Sequence, residues 1–102
     1  MSPTQRTLAY LRDEGYHAEV VEHYNSFVRR RFDLWGWADV LAIRENEVLA
    51  VQCTSEGVAS RVKKIEASQT LPLVRKAGIK IWVMGWRKNS KGRYVHRIVD
   101  IS

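Results

Sequence analysis

Two apolar runs, Trp37 to Ile43 and Val48 to Cys53, are separated only by the polar tetrapeptide Arg44-Glu45-Asn46-Glu47. Both runs have strand length and are rich in Val, Leu, Ile and Ala, and the polar residues between them suit a tight turn. An antiparallel hairpin is therefore expected here. Because both runs are nearly continuous in apolar side chains, both strands are expected to be covered on two faces, at the centre of a sheet.

The rest of the chain supplies the covering layers. Ser2-Pro3-Thr4-Gln5 offers a capping hydroxyl, a proline at the first helical position and a Gln three residues after the cap, which predicts a helix over about Pro3 to Glu14 closed by Gly15. Tyr16 to Tyr24 alternates and reads as a first strand, with Tyr16, Ala18, Val20 and Glu22 on one face. Asn25 to Gly36 contains Asn-Ser, three arginines and a glycine, and reads as a loop with aromatic anchors. Gly57 to Lys76 takes a helical period that Pro72 kinks or splits. Ile79 to Trp86 and Arg93 to Ile101 are two further strands. The predicted order is αβββαββ, an α/β fold with a mixed β-sheet flanked by helices, in one domain over residues 1–102. The helix between the third and fourth strands makes that pair parallel.

A hairpin centred between Glu45 and Asn46 sets Asp39 directly opposite Gln52. Opposed residues share a face, so a carboxylate and an amide oxygen converge on one spot, and Thr54 adds a hydroxyl to the same face. Charged and amide groups in apolar central strands need water, a partner or a cation. With Glu22 from the neighbouring strand, Asp39 and Gln52 form a candidate oxygen cage for Mg²⁺ or Mn²⁺. The alternative is that Asp39 caps a loop or pairs with one of Arg29, Arg30 and Arg31. Asp33 is a further acidic residue in reach of those arginines.

Gly36-Trp37-Ala38-Asp39, the step to Gln52-Cys53-Thr54 and the element order together resemble the D…(E/Q)xK signature of PD-(D/E)XK nucleases, especially small VRR-NUC, Mrr-like and archaeal-type Holliday junction resolvase relatives and phage-encoded members. The resemblance covers nearly the whole chain. It implies a restriction-endonuclease-like core, Mg²⁺-dependent cleavage of DNA phosphodiesters, Asp39 as metal ligand and Gln52 at the second acidic position. It also implies a homodimer. Thr54 stands where the superfamily has its lysine, and Thr4 and Gln5 stand where relatives carry a helix glutamate. Glu22 replaces that carboxylate only if its strand lies beside Asp39. Lys63 or Lys64, on the following helix, is the candidate replacement lysine, against exposed helix surface as the other reading.

Charge agrees with an anionic partner. Lys and Arg outnumber Asp and Glu by 17 to 11, giving +6. Arg29, Arg30 and Arg31, between Phe27, Phe32 and Trp35, are expected to clamp phosphate, with a solvated charge run as the other reading, and Arg61, Lys63 and Lys64 extend the track. Arg87, Lys88, Lys91 and Arg93 form a basic hairpin tip. The single cysteine, Cys53, is expected in the core, and with no signal peptide or membrane span the expected location is cytoplasmic. The function expected is a metal-dependent endodeoxyribonuclease, with catalytic candidates Asp39, Gln52, Thr54 and Glu22. The alternative is a nuclease-fold DNA-binding module without catalysis, or a protein-interaction factor.

Overall fold

A computed structural model describes all 102 residues. Helix α1 spans Pro3–Asp13, and the Ser2 hydroxyl accepts from the Gln5 N–H at 3.1 Å, so the predicted cap is formed. Strands β1 (His17–Val20), β2 (His23–Asn25), β3 (Arg30–Phe32), β4 (Val40–Arg44) and β5 (Glu47–Thr54) follow. Helices α2 (Val58–Glu66) and α3 (Leu71–Lys76) then lead into β6 (Lys80–Lys88) and β7 (Tyr94–Asp100). Five strands form one mixed sheet in the order β1-β4-β5-β6-β7, while β2 and β3 pair only with each other. No helix is long and apolar enough to cross a membrane.

The central hairpin has the expected register, with Val40 opposite Val51 and Arg44 opposite Glu47. Strands β5 and β6 run parallel, as the intervening helices require. Three expectations need correction. The first strand does not run from Tyr16 to Tyr24: it leaves the sheet after Val20 and resumes as β2. The segment Asn25 to Gly36 is not all loop, because Arg30–Phe32 is a strand paired with β2. The Asp39 strand starts at Val40 rather than Trp37, since Trp35 and Gly36 take left-handed backbone at φ 58° and 81° and turn the chain just before it. The order along the chain is accordingly one helix, five strands, two helices and two strands. Pro72 splits the helical segment by standing in the first turn of α3, where its missing N–H costs nothing.

Alternation along β5 divides the core. Leu49 and Val51 pack with Leu8 and Leu11 of α1, whereas Ala50 faces Ile65, Leu71 and Val74 of α2 and α3. Helices therefore cover both faces of β5, which is buried as its sequence predicted. Strand β4 is covered less completely, and Ile43 remains 52% exposed beyond the reach of the helices.

At Gly85 helix α2 comes so close to β6 that an added Cβ would stand 2.5 Å from Val58 Cγ2. Valine is stiff at χ1 and cannot swing away cheaply. Gly85→Ala is expected to destabilise the fold by about 1–3 kcal/mol through overpacking. Urea unfolding with an unchanged midpoint would show that α2 has room to retreat.

Candidate metal centre

The site lies where β4 begins and β5 ends. Asp39 is held by its backbone from two sides, its N–H donating to Val51 O at 2.9 Å and its carbonyl accepting from Val21 N–H at 2.8 Å. Its side chain is fixed as well, because Oδ2 accepts from the Cys53 N–H at 2.8 Å. Asp39 is only 5% exposed.

The turn that delivers Asp39 also delivers a second carboxylate. Leu34 and Ala38 form a two-way bridge, Leu34 N–H to Ala38 O at 2.9 Å and Ala38 N–H to Leu34 O at 2.8 Å. The next pair outward is Asp33 and Asp39. Trp37 pins this turn to the α2–α3 connection, its Nε1–H donating to Thr70 Oγ1 at 3.0 Å. Glu22 arrives from the end of β1. Continuing the β1–β4 register places Val21, not Glu22, opposite Asp39, so Glu22 reaches the site only because the chain leaves the sheet after Val20. One carboxylate oxygen each from Glu22, Asp33 and Asp39 lies within 4.8 Å of the others.

Gln52 completes the group from β5. It is 3% exposed, and its Oε1 is buried with no hydrogen-bond partner. Such an oxygen is costly to leave unsatisfied, by about 1–3 kcal/mol. Asp39 shows the same strain electrostatically. Its carboxyl is pushed up to about 7 by burial above all, with Asp33 and Glu22 adding repulsion and the Cys53 N–H opposing the shift.

These groups line a cavity of about 590 Å³ with only two hydrophobic residues among fourteen, which suits hydrated ions and phosphate better than an apolar ligand. The first turn of α1 forms one wall through Ser2, Pro3 and Thr4, and Thr4 Oγ1 lies 3.5 Å from Glu22 Oε1. Glu22 thus stands beside the first turn of α1.

The remaining candidates separate. Thr54 lines the cavity, but its hydroxyl donates to Glu56 O and accepts from Glu56 N–H at 3.2 Å, so it is committed to the turn after β5. Of the arginine run, only Arg31 lines the cavity, and it pairs with Glu22 at 3.3 Å rather than with Asp39. Arg29 and Arg30 lie on the exposed β2–β3 hairpin. Arg61 of α2 lines the cavity and takes part in no ion pair, whereas Lys63 and Lys64 are exposed and outside it. Cys53 packs toward α1, opposite to Gln52, and burial pushes its thiol up to about 12.

Asp33 is the residue that the sequence signalled too weakly. A turn centred on Gly36, like the one centred on Glu45-Asn46, sets Asp33 opposite Asp39. Trp35-Gly36-Trp37 reads as packing residues, and that masks the turn. In comparisons with known proteins, the chain matched no family model, no curated protein and no solved structure.

Proposed function

We propose that the chain is a Mg²⁺- or Mn²⁺-dependent nuclease that hydrolyses DNA phosphodiester bonds, on the PD-(D/E)XK plan that its Asp39 and Gln52 resemble. The observation that carries this reading is the cluster of Glu22, Asp33 and Asp39 carboxylates in a polar cavity that Gln52 also lines, with the Gln52 Oε1 buried and unpartnered. Both costs, the orphaned oxygen and the mutual repulsion, are relieved by one small divalent cation. An all-oxygen donor set suits Mg²⁺ or Mn²⁺ and does not suit zinc. The residues present therefore fit the ion that the resemblance implies. Glu22, Asp33, Asp39 and Gln52 would hold it, and when bound it supplies activation of water and neutralisation of charge on the scissile phosphate.

The chain's own residues do the rest. The opening turn of α1 sets the positive end of the helix dipole at the cavity wall, where phosphate oxygens are favoured. Arg61 is the free cation of the cavity and takes the place of the lysine that Thr54 does not supply. Thr54 holds the β5 end in position through Glu56. The resolvase resemblance adds branched DNA as substrate and a symmetric dimer as the working unit.

A second reading has its own support. With the Thr54 hydroxyl committed to the backbone, the chain is also suited to be a nuclease-fold DNA-binding module without catalysis. Labelled single-stranded, duplex and four-way-junction DNA, incubated with Mg²⁺, Mn²⁺ or EDTA, separates the two. Cleavage with metal and none in EDTA is expected. Salt-sensitive binding with no cutting under either metal would overturn the nuclease and leave the binding module. In the same assay Arg61→Ala is expected to slow cleavage about a hundredfold while Mn²⁺ affinity stays unchanged.

A further inference from the structure

Between two of the clustered carboxylates the chain leaves the main sheet. Strand β2 begins one residue after Glu22 and β3 ends one residue before Asp33, so the β2–β3 hairpin has both feet in the cluster. Its rungs are His23–Phe32, Tyr24–Arg31 and Asn25–Arg30. The tip is ordered by its own side chain, since Asn25 Oδ1 accepts from the N–H groups of Phe27 at 2.9 Å and Val28 at 3.4 Å.

What this tip presents is unusual for a surface turn. Phe27 is 96% exposed, Val28 52% and Tyr24 60%. Between Glu22 and Asp33 there is no acidic residue, and Arg29, Arg30 and Arg31 are consecutive. Arg29 sits at φ 53°, a left-handed conformation that glycine or asparagine would adopt at lower cost. Arg31 turns inward to Glu22, which ties the hairpin to the cluster.

An apolar tip on a cationic, acid-free stem is complementary to stacked bases bordered by phosphates. An exposed apolar tip alone would equally fit a protein groove, but the arginines select a polyanion. We propose that the β2–β3 hairpin is a DNA wedge: Phe27 enters between bases at a branch point, and Arg29 and Arg30 contact the flanking phosphates. This rests on the nuclease reading and specifies its substrate as DNA whose stacking is already interrupted, because opening an intact base step opposes binding. A stem of three residues holds the tip about 10 Å from the carboxylates, about three base steps. Cuts are accordingly expected about three nucleotides from the branch.

The test uses the full chain and a four-way junction carrying 2-aminopurine at the branch, in EDTA so that nothing is cut. Wild-type protein is expected to raise the 2-aminopurine fluorescence by unstacking it. Phe27→Ala, at a position too exposed to affect folding, is expected to abolish the rise and weaken junction binding about tenfold. Its affinity for intact duplex should stay within about twofold of wild type. Arg29→Ala and Arg30→Ala should each reduce the salt slope of binding by about one. If Phe27→Ala keeps both the fluorescence rise and the junction affinity, the wedge is overturned, while metal-dependent cleavage by the same protein would keep the nuclease reading. If wild type unstacks the branch but neither takes up Mn²⁺ nor cuts, the wedge stands and the nuclease falls. If Phe27→Ala only converts a dimer to a monomer on sedimentation, the tip is a contact between copies and the wedge is overturned.

Discussion

Asp39→Asn is expected to abolish cleavage, by about three orders of magnitude or more, and at the same time to raise the stability of the metal-free protein near neutral and alkaline pH. The loss follows from removing the carboxylate that clusters with the other two acids. The gain follows from the burial of that carboxylate beside Asp33 and Glu22, which pushes its pKa up from 3.8 to about 7. Between those two values the folded chain holds a proton that the unfolded chain has released, so stability falls as pH rises through that window. Metal-free wild type should be more stable near pH 5 than near pH 8 by about 1–2 kcal/mol, allowing for water at the cavity mouth. Asparagine has no proton to lose, so the slope should flatten in the variant, and Mg²⁺ should flatten it in wild type. Asparagine also keeps an oxygen for the Cys53 N–H. Asp39→Ala does not, and should cost about 1–3 kcal/mol by orphaning that donor. Thermal melts of the three proteins across this pH range, with and without Mg²⁺, check these signs. A wild-type stability that rises steadily from about pH 5 to pH 8 without metal would contradict the buried-carboxylate picture.

Gln52→Leu is expected to lower Mn²⁺ affinity by about 10- to 100-fold while leaving the metal-free fold as stable or more so. Leucine fills similar space, and the oxygen it removes has no hydrogen bond to lose. Gln52→Glu should act in the opposite sense, tightening Mn²⁺ binding and destabilising the metal-free protein through a further buried charge. Calorimetric titration with Mn²⁺ and urea unfolding read both effects. If Gln52→Leu unfolds the protein and Mn²⁺ affinity is untouched in Gln52→Glu, Gln52 is a structural residue and not a ligand.

The central hairpin and the cap of α1 were legible because each depends on local chemistry: a polar turn between apolar runs, or a hydroxyl before a proline. The parallel β5–β6 pair was legible from the helix between them. The β2–β3 hairpin was not. It lies outside the sheet and buries no face, so Arg29-Arg30-Arg31 carries none of the alternation that marks a half-buried strand. Strand alternation sets Glu22 on one face with Tyr16 and Ala18, which pack against α1 in the structure. Only the departure of the chain after Val20 brings it round to Asp39. Lys63 and Lys64 drew attention by charge, yet helical spacing presents Arg61 to the cavity instead, since Val62 and Ile65 set which side of α2 faces the sheet.

Diffraction from crystals soaked in Mn²⁺, with data collected for the anomalous signal of manganese, decides whether the carboxylate cluster holds a cation. One strong peak is expected among Asp39, Glu22, Asp33 and Gln52, absent in crystals of Asp39→Asn. An empty cavity in soaked wild-type crystals, with Gln52 Oε1 turned to a protein donor, would contradict it.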